Sequence, residues 1–524
     1  FACDLHRVSL ASETIMSEQI FKDLGPAHAA LGAQFRRAAL IDDALGILSW
    51  DQATIMPEGS AEGRAEQIAA LSVMRHELLV DPRVRENLDA VRDLRGSQAG
   101  DSWAAGNLRE MERAYLYAAA VPGDLVEATA RANAVCEIQW RSARAENDFA
   151  SLVPSLQAVI DLVGETASAR ADALSLDPYD ALLDEFEAGT RVAQLEPLFG
   201  ELARDLPGFV EEVLERQASR PSPVLPSGPF PVSTQRELAV ELMGVLGFDF
   251  EAGRLDISHH PFCGGAAGDV RITTRYNEEN FTESLMGVLH ETGHALYEAG
   301  LPEHWRYQPV GQALGMAIHE SQSLLVEMQV SRSRPFLEFA LPRMQAAFDG
   351  QGAAWDVENF YRLYTRVERG SIRVDADEVT YPLHVVLRYR LERALLSGDL
   401  PLADLPGAWN DGMRDLLGIV PPDDRQGCLQ DVHWPSGAFG YFPTYTLGAM
   451  AAAQLYAAAQ GALPGLEDDI AAGNLAPLIG WLRENVHGKG ASLTASDLLS
   501  AATGEALNPR VFLDHLQRRY LGDA

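Results

Sequence analysis

Residues 290–294 constrain this chain more than any other segment, because they place two histidines four positions apart within a stretch of helical period. Apolar residues recur around them at intervals of three and four positions, which is typical of an amphipathic helix. The residues on this period are Leu285, Val288, Leu289, Ala295 and Leu296. Because positions i and i+4 share one helix face, the imidazoles of His290 and His294 can point at a common atom. The pattern predicts two metal ligands on one helix.

A third ligand candidate, Glu320, follows 26 residues after His294 (320 minus 294), in a second stretch of helical period. Two imidazoles and a carboxylate form the donor set of a catalytic zinc site that keeps one position for water. Zinc is the default metal for such a set, with cobalt and manganese as substitutes. Glu291 lies beside His290 and is better placed to accept a proton from that water than to bind the metal. Short motifs also arise by chance, but a chance match usually lacks the third ligand.

The rest of the chain predicts a mainly helical fold of 524 residues with a small sheet. Helical periods are frequent, and we expect helices to break at residues 56–57, 121–123 and 206–208, where prolines occur. Alternating residues predict a strand over residues 269–276, which could hold an extended peptide by edge pairing. Five prolines between residues 221 and 231 indicate an irregular connection, so that a subregion boundary lies near residues 221–232.

Charge and cysteine content narrow the function classes. The chain has 75 acidic and 42 basic residues, a formal net charge of -33, which argues against binding to nucleic acids or to anionic membranes. The most apolar run, residues 449–459, is too short to span a bilayer. Four widely spaced cysteines and the absence of an apparent secretory signal suit a reducing compartment. These features predict a cytoplasmic protein.

Several segments, in this order, resemble the carboxypeptidase Taq family of metallocarboxypeptidases. They are DVRIT at residues 269–273, HETGH at 290–294, HESQ at 319–322, IRVDADEVTY at 372–381 and GCLQDVHW at 427–434. Shorter matches are Trp50-Asp51, Met56-Pro57, His260-Pro261-Phe262 and Gly440-Tyr441-Phe442-Pro443. The resemblance covers nearly the whole chain from about residue 17 onward. Residues 1–15 lie before it, and we expect them to be an extension or a start-site artefact.

The resemblance implies specific roles and a substrate class. It makes His290, His294 and Glu320 the metal ligands and Glu291 the catalytic base, in agreement with the spacing argument. It implies a single helical catalytic unit over residues 16–524, with a deep substrate groove and a small β-sheet near the active site. The expected activity is the release of single residues from the free C-terminus of peptides, with broad side-chain tolerance, by a homodimer.

A carboxypeptidase needs a cation that binds the terminal carboxylate, normally an arginine with paired donors. Arg271 and Arg373 lie inside family-like segments, and Arg271 is the first choice of the two. The alternative for each is an ordinary ion pair, since Asp269 lies near Arg271, and Asp375 and Asp377 follow Arg373. The acidic residues at 375, 377 and 378 have a solvated face as their simplest interpretation, with a supporting role at most.

The sequence also offers donors for the developing oxyanion, although such groups in large helical proteins are more often ordinary core residues. The candidates are Tyr381, His384, His433, Tyr441 and Tyr445. His260 lies in a glycine-rich loop segment that, by the resemblance, borders the substrate channel. Two alternative functions remain: an oligopeptidase with the same metal chemistry that cuts internally, and a non-catalytic peptide-binding protein that keeps the metal for structure. Glu291, which a structural metal site does not need, counts against the second.

Overall fold

The computed structural model describes residue 21 and residues 23–94 and 102–522, and the predicted extension at residues 1–15 lies outside them. The described chain is mainly helical with one small sheet, as the sequence predicts. The helices are α1 (Pro26–Thr54), α2 (Ala61–Leu79), α3 (Pro82–Leu94), α4 (Ser102–Ala120), α5 (Gly123–Glu146), α6 (Phe149–Leu174), α7 (Pro178–Phe186), α8 (Val192–Ala218), α9 (Val232–Leu246), α10 (Phe281–Ala299), α11 (Gly315–Leu324), α12 (Arg334–Phe348), α13 (Val357–Tyr364), α14 (Tyr381–Ser397), α15 (Leu405–Leu417), α16 (Pro443–Ala462), α17 (Leu466–Ala471), α18 (Ala476–Asn485), α19 (Ala495–Thr503) and α20 (Pro509–Leu516). Two π-helical segments occur among the described residues, Leu325–Ser331 after α11 and Gln517–Leu521 after α20.

Helix α6 shows how the apolar period produces this architecture. Asp148 caps it by accepting a hydrogen bond from the Ser151 N–H, which satisfies one of the otherwise unpaired donors of the first turn. Leu152, Leu156 and Val159 recur on one face and are at most 2% exposed. That face packs into the larger of the two main hydrophobic clusters of the described residues. The spacing of the apolar residues agrees with their burial, because packing of an apolar face stabilises a helix more than the intrinsic helix propensity of its residues does.

Two of the three predicted helix breaks are confirmed, and the one at residues 206–208 is wrong. Helix α8 continues through Pro207, although a proline inside a helix removes a hydrogen bond and costs about 3 kcal/mol. Leu202, Leu206 and Val210 are at most 2% exposed on the inner face. Each such side chain contributes roughly 1.5–3 kcal/mol on burial, so the buried face outweighs the proline.

The sheet has three strands, β1 (Gly253–Ile257), β2 (Phe262–Ala266) and β3 (Asp269–Thr274), in the order β1-β3-β2. The predicted strand at residues 269–276 is therefore present but two residues shorter. It pairs parallel with β1 and antiparallel with β2. The idea that this strand binds a peptide at its own edge is wrong, because both of its edges are occupied and β2 is an edge strand instead.

Two hydrophobic clusters meet at helix α16. The larger cluster contains the inner faces of α6, α8, α14 and α15, and the second contains those of α10, α12 and α18. Helix α16 contributes Met450 to the first and Ala452 to the second, and Ala449 packs against both. The alanine-rich run at residues 449–459 is thus a shared core helix. Within the described residues, none of the helices combines the length and apolar composition that a bilayer-spanning segment requires.

Candidate metal centre and substrate groove

Helix α10 carries the two histidines on one face, as the spacing predicts. Asn280 caps the helix by accepting from the Thr282 N–H, and the buried residues Val288 and Leu289 hold its opposite face in the core. The ring centroids of His290 and His294 lie 5.0 Å apart. Both rings line a groove with a cavity volume of about 580 Å³.

Helix α11 brings Glu320 to the same point. One ligand atom from each of His290, His294 and Glu320 can be chosen so that all three lie within 4.8 Å of one another. The His294 Nε2 atom is 3.6 Å from a Glu320 carboxylate oxygen. Burial raises the pKa of Glu320, so the ionised carboxylate needs a counter-charge. A divalent metal between these three donors fits that need, and the donor set suits zinc.

Each histidine is oriented by a partner at its Nδ1 atom, which leaves Nε2 for the metal. The His290 Nδ1 atom lies 2.8 Å from Glu327, whose other oxygen accepts from Arg332 at 2.5 Å. Burial alone would raise the pKa of Glu327, but Arg332 and His290 outweigh it and lower the pKa to about 2. Glu327 is therefore ionised, and an ionised partner increases the basicity of a ligating imidazole.

The partner of His294 is His319, a residue that the sequence motif contains but to which we assigned no role. The His294 Nδ1 atom lies 3.1 Å from the His319 main-chain oxygen and 2.6 Å from the His319 Nδ1 atom. The His319 Nε2 atom lies 2.8 Å from Glu298. If Nε2 of His319 donates to Glu298, its Nδ1 is an acceptor, and His294 donates from Nδ1. That assignment leaves the His294 Nε2 lone pair for a metal.

Glu291 lies on the same helix and lines the groove beside His290 and His294. It is 7% exposed, and burial raises its pKa to about 7, against the lowering effect of His290. A buried carboxyl whose pKa lies near neutrality is suited to exchanging protons at neutral pH.

The helices at this centre pack so closely that two glycines are required. A Cβ atom at Gly293 would lie 2.5 Å from the Gln322 main-chain oxygen on α11. A Cβ atom at Gly448 on α16 would lie 2.7 Å from the Glu320 Cβ atom. Both distances are below normal contact, so α10, α11 and α16 approach at the metal centre through bare backbone.

The start of α11 is held by side chains from elsewhere in the chain, because its own N-cap, Leu314, provides no side-chain bond. The Leu314 N–H donates to the Tyr297 hydroxyl at 2.9 Å, and the Ala317 N–H donates to Glu187 at 2.7 Å. Glu187 is 2% exposed, and burial raises its pKa to about 7, against the lowering effect of the bond from the Ala317 N–H. These two bonds position the helix that carries Glu320.

Two walls of the groove carry different chemistry. We call His290, Glu291, His294 and Glu320 the metal wall. We call Arg373, Tyr381, Tyr441 and Tyr445 the arginine wall; all eight residues line the same cavity.

The arginine wall carries a surplus positive charge. Asp431 forms ion pairs with both Arg373, at 2.9 Å, and Arg388, at 2.6 Å. One carboxylate thus serves two guanidinium groups. Arg388 is fully buried, whereas Arg373 lines the groove and donates to the Tyr381 hydroxyl at 3.0 Å. The uncompensated charge can attract an anion in the groove through Arg373.

Arg271, our first choice from the sequence, is placed differently. It forms an ion pair with Asp269 at 2.6 Å, and its guanidinium carbon lies 4.2 Å from the centroid of the Trp50 ring. It does not line the cavity. Of the two arginines, Arg373 is the one that lines the groove, and its partner Asp431 lies 58 residues away in the sequence and also pairs with Arg388.

The remaining predicted site residues divide into those on the groove and those behind it. Tyr381 and Tyr441 line the cavity, as does Tyr445. His433 lies behind them, 3.2 Å from the Tyr445 hydroxyl, and burial lowers its pKa to about 4. His384 is fully buried beside Arg388, which donates a hydrogen bond to its main-chain oxygen. His260 is exposed on the loop before β2, and its neighbour Pro261 reaches the cavity.

The interpretation of the acidic residues at 375, 377 and 378 as a solvated face is wrong for Glu378, whereas Asp375 is exposed. Glu378 is 5% exposed and accepts hydrogen bonds from Arg519 at 2.9 Å and Tyr520 at 3.1 Å. Its other oxygen lies 2.8 Å from the His515 Nε2 atom. The π-helical segment near the end of the chain thus anchors the loop that carries Arg373.

The comparison with protein families gives one match over most of the chain. A model of the carboxypeptidase Taq (M32) metallopeptidase family matches residues 30–520. Thermostable carboxypeptidase 1 of Thermus thermophilus is 42% identical over 497 residues, which cover 93% of this chain and 97% of the relative. Carboxypeptidase 1 of Bacillus subtilis is 35% identical over 486 residues, covering 93% and 96%.

Solved structures that are similar to this chain are also those of carboxypeptidases. Metallocarboxypeptidase 1 of Trypanosoma cruzi is similar with a TM-score of 0.91 and 40% identity, covering 94% of this chain and 98% of that one. The M32 carboxypeptidase of Deinococcus radiodurans is similar with a TM-score of 0.89 and 35% identity, covering 94% and 98%.

Proposed function

Since this chain belongs to the carboxypeptidase Taq (M32) family and is a metallocarboxypeptidase, we propose that it releases single amino acids from the free C-terminus of peptides with zinc as its metal. His290, His294 and Glu320 bind the metal, and Glu291 is the general base. The observation that carries this proposal is the presence of a metal donor set and a surplus positive charge in the lining of one groove.

The chemistry begins with binding of the substrate terminus. The carboxylate of the last residue pairs with Arg373, whose planar guanidinium suits a carboxylate and whose partner Asp431 neutralises only part of the local charge. Tyr381 holds the guanidinium from the groove side. With the terminus bound there, the last peptide bond comes to lie against the metal wall.

Proton transfer is the task of Glu291. The metal, when bound, supplies Lewis-acid polarisation of the scissile carbonyl and of the attacking water. Glu291 accepts a proton from that water and returns it to the leaving amine. Its burial beside the ligands raises its pKa to about 7, which supports both the uptake and the return of a proton near neutral pH.

The oxyanion requires a donor in addition to the metal, and Tyr441 and Tyr445 are our candidates. Burial raises the pKa of both hydroxyls, so they stay protonated and can donate. His433 contacts Tyr445 and acts by positioning it. Broad side-chain tolerance, and cobalt or manganese as substitutes for zinc, belong to the same proposal.

We also propose that residues 16–524 form one catalytic unit, that the protein is a homodimer and that it works in the cytoplasm. The homodimer is supported by the family resemblance alone. The cytoplasm is supported by Cys136, Cys263 and Cys428, which form no disulfide in the structure. Light scattering at several concentrations would test the dimer.

The test of the activity is a product ladder. The zinc-loaded protein is incubated with a short peptide that has a free C-terminus, and products are followed by mass spectrometry. We expect loss of one C-terminal residue at a time, no cleavage of the same peptide with an amidated C-terminus, and no ladder with Glu291→Gln. Internal fragments, or cleavage of the amidated peptide, would favour an oligopeptidase instead, and an intact peptide with bound metal would favour a binding protein.

A further inference from the structure

Strand β2 is an edge strand that reaches the groove beside the metal wall. It pairs with β3 on one side only, since the order of the sheet is β1-β3-β2. Pro261, Phe262 and Cys263 line the same cavity as Glu291. An edge strand in a peptide-binding groove offers unpaired main-chain donors and acceptors to an extended chain.

The direction of these main-chain groups follows from two contacts. Successive residues of an antiparallel strand point their N–H and C=O groups alternately toward and away from the partner. The Phe262 N–H points toward β3, where it donates to the Thr273 hydroxyl at 3.0 Å. The Gly265 oxygen points away, because a Cβ atom at Gly46 on α1 would lie 2.1 Å from it. The N–H and C=O of Cys263 therefore point outward.

The outward groups of Cys263 are available. Within residues 21, 23–94 and 102–522, no hydrogen bond reaches the Cys263 N–H or C=O from outside the sheet. Gly264 beside it is exposed and has no side chain to obstruct the edge. Further along, α1 covers the edge at Gly265. The open edge thus has room for about one pair of main-chain hydrogen bonds.

The Cys263 edge packs against the helix of the metal wall. The Cys263 side chain packs against the hydrophobic cluster that includes Val288 and Ala295 of α10, the helix that carries His290 and His294. Burial raises the pKa of the Cys263 thiol, so the side chain stays neutral and is not a nucleophile. The functional groups of this residue are those of its main chain.

We propose that the main chain of Cys263 binds the backbone of the peptide substrate on the amino side of the scissile bond, as one added strand residue. The Cys263 N–H donates to a substrate carbonyl, and its C=O accepts from a substrate N–H. The inference rests on the proposed function: with the terminal carboxylate at Arg373, the rest of the peptide leaves the groove past β2. Main-chain pairing does not depend on substrate side chains, which accounts for broad specificity.

The first test changes the substrate. A pentapeptide with a free C-terminus and an unmodified scissile bond is prepared in variants with one ester or one N-methyl amide in place of a backbone amide. With the wild-type zinc enzyme, we expect kcat/KM for removal of the last residue to fall about tenfold at one position on the amino side, and less than twofold at the others.

The second test changes the enzyme. Cys263→Pro removes the outward N–H, and proline is accepted in edge strands where the N–H faces away from the sheet. We expect Cys263→Pro to keep its metal affinity and to lose about tenfold in kcat/KM. The control Cys263→Ala keeps the N–H, so it should show the same position-dependent loss with the ester and N-methyl substrates as the wild type. The Gly264 N–H faces β3, so its removal in Gly264→Pro should instead destabilise the sheet.

A third experiment combines the two changes and asks whether they affect the same enzyme–substrate contact. Cys263→Pro removes the bond from the enzyme N–H to a substrate carbonyl, whereas the ester or N-methyl substitution removes the adjacent bond from the substrate N–H to the Cys263 oxygen. Because both bonds hold one substrate residue, the combined loss in kcat/KM should be smaller than the product of the two single losses. Equal sensitivity at all substrate positions in the wild type overturns the inference but leaves the carboxypeptidase activity standing, and this holds even if Cys263→Pro does not fold. Failure of the wild type to trim the unmodified peptide overturns both proposals.

Discussion

The metal wall and the arginine wall line one groove but are built in opposite ways. The metal wall comes from two regular helices within 31 consecutive residues, from His290 to Glu320. The arginine wall joins an irregular loop, the starts of α14 and α16, and Asp431 from another loop. Its order depends on contacts between residues far apart in the chain.

This contrast separates two requirements of a peptidase. Metal binding needs a fixed geometry of a few atoms, which helix periodicity provides locally. Recognition of a terminal carboxylate needs a charge that is only partly neutralised, and that depends on how many carboxylates the fold brings to each arginine. We therefore expect changes in the metal wall to act on metal affinity, and changes in the arginine wall to act on substrate selection and local stability.

The largest effect is expected for Glu320→Gln. The neutral amide is a poor metal ligand and leaves the two imidazoles to hold the metal, so affinity for zinc should fall on the order of 1,000-fold, with activity lost. Competition with a chromophoric chelator measures this. The matched control is Glu283→Gln, an exposed position on α10, which should bind zinc normally. An unchanged affinity in Glu320→Gln would remove this residue from the metal wall.

The second effect concerns the two arginines. Arg373→Lys keeps a positive charge but loses the planar pair of donors, and we expect kcat/KM on peptides with a free C-terminus to fall on the order of 100-fold. Zinc affinity should not change. Arg271→Lys serves as the matched control and should stay within about twofold. If the two variants behaved in the opposite way, the groove would recognise its substrate through the side of the sheet near Trp50.

The third effect is on stability. Glu378→Gln leaves Arg519 buried without its anionic partner, and the free energy of unfolding at pH 7 should fall by about 2 kcal/mol. Arg519 and His515 outweigh burial and hold the pKa of Glu378 well below its ordinary value of 4.5. The carboxylate therefore stabilises the fold above about pH 4.5, and this contribution is lost as the pH falls toward the folded-state pKa.

Urea unfolding of wild type and Glu378→Gln at several pH values measures that difference. It should be constant between about pH 6 and 8 and should shrink below about pH 4.5. Glu368→Gln, at an exposed carboxylate close by in the sequence, is the control and should show little difference at any pH. A difference for Glu378→Gln that grew on acidification would contradict the ion-pair account.

The smallest effect is expected behind the metal wall, at Glu327. Glu327→Gln keeps a hydrogen-bond acceptor for His290 but removes the negative charge and the ion pair with Arg332, so zinc affinity should fall about tenfold. The exposed Glu338→Gln on α12 should have no effect. Chelator competition at constant pH distinguishes the two, and equal affinities would mean that the charge of Glu327 does not influence the metal.

The same contrast explains what could be predicted from the sequence. The arrangement of the metal wall was predictable because its four residues lie on helices whose period is visible in the chain. Glu327 was missed although it lies seven residues after Glu320, a spacing of two helical turns that could have suggested it. Arg373 was ranked below Arg271 because the sequence shows neighbouring aspartates but not the shared partner Asp431.

Other features required the three-dimensional arrangement. The position of β3 in the centre of the sheet depends on strand order, which a single strand pattern does not reveal. The bond from Ala317 to Glu187 joins residues 130 positions apart. The continuous helix at Pro207 reflects the burial of its neighbours, which outweighs the local preference of proline.

The bare-backbone contacts at Gly293 and Gly448 have a consequence for how such an enzyme can diverge. Neither position can accept a Cβ atom unless the helices at the metal wall separate. We therefore expect substitutions of these two glycines to be selected against. The irregular loops of the arginine wall have no comparable contact at Val374, which is 71% exposed on the loop that carries Arg373. We expect descendants of this chain to explore new substrates through that loop while inheriting the same hydrolytic chemistry.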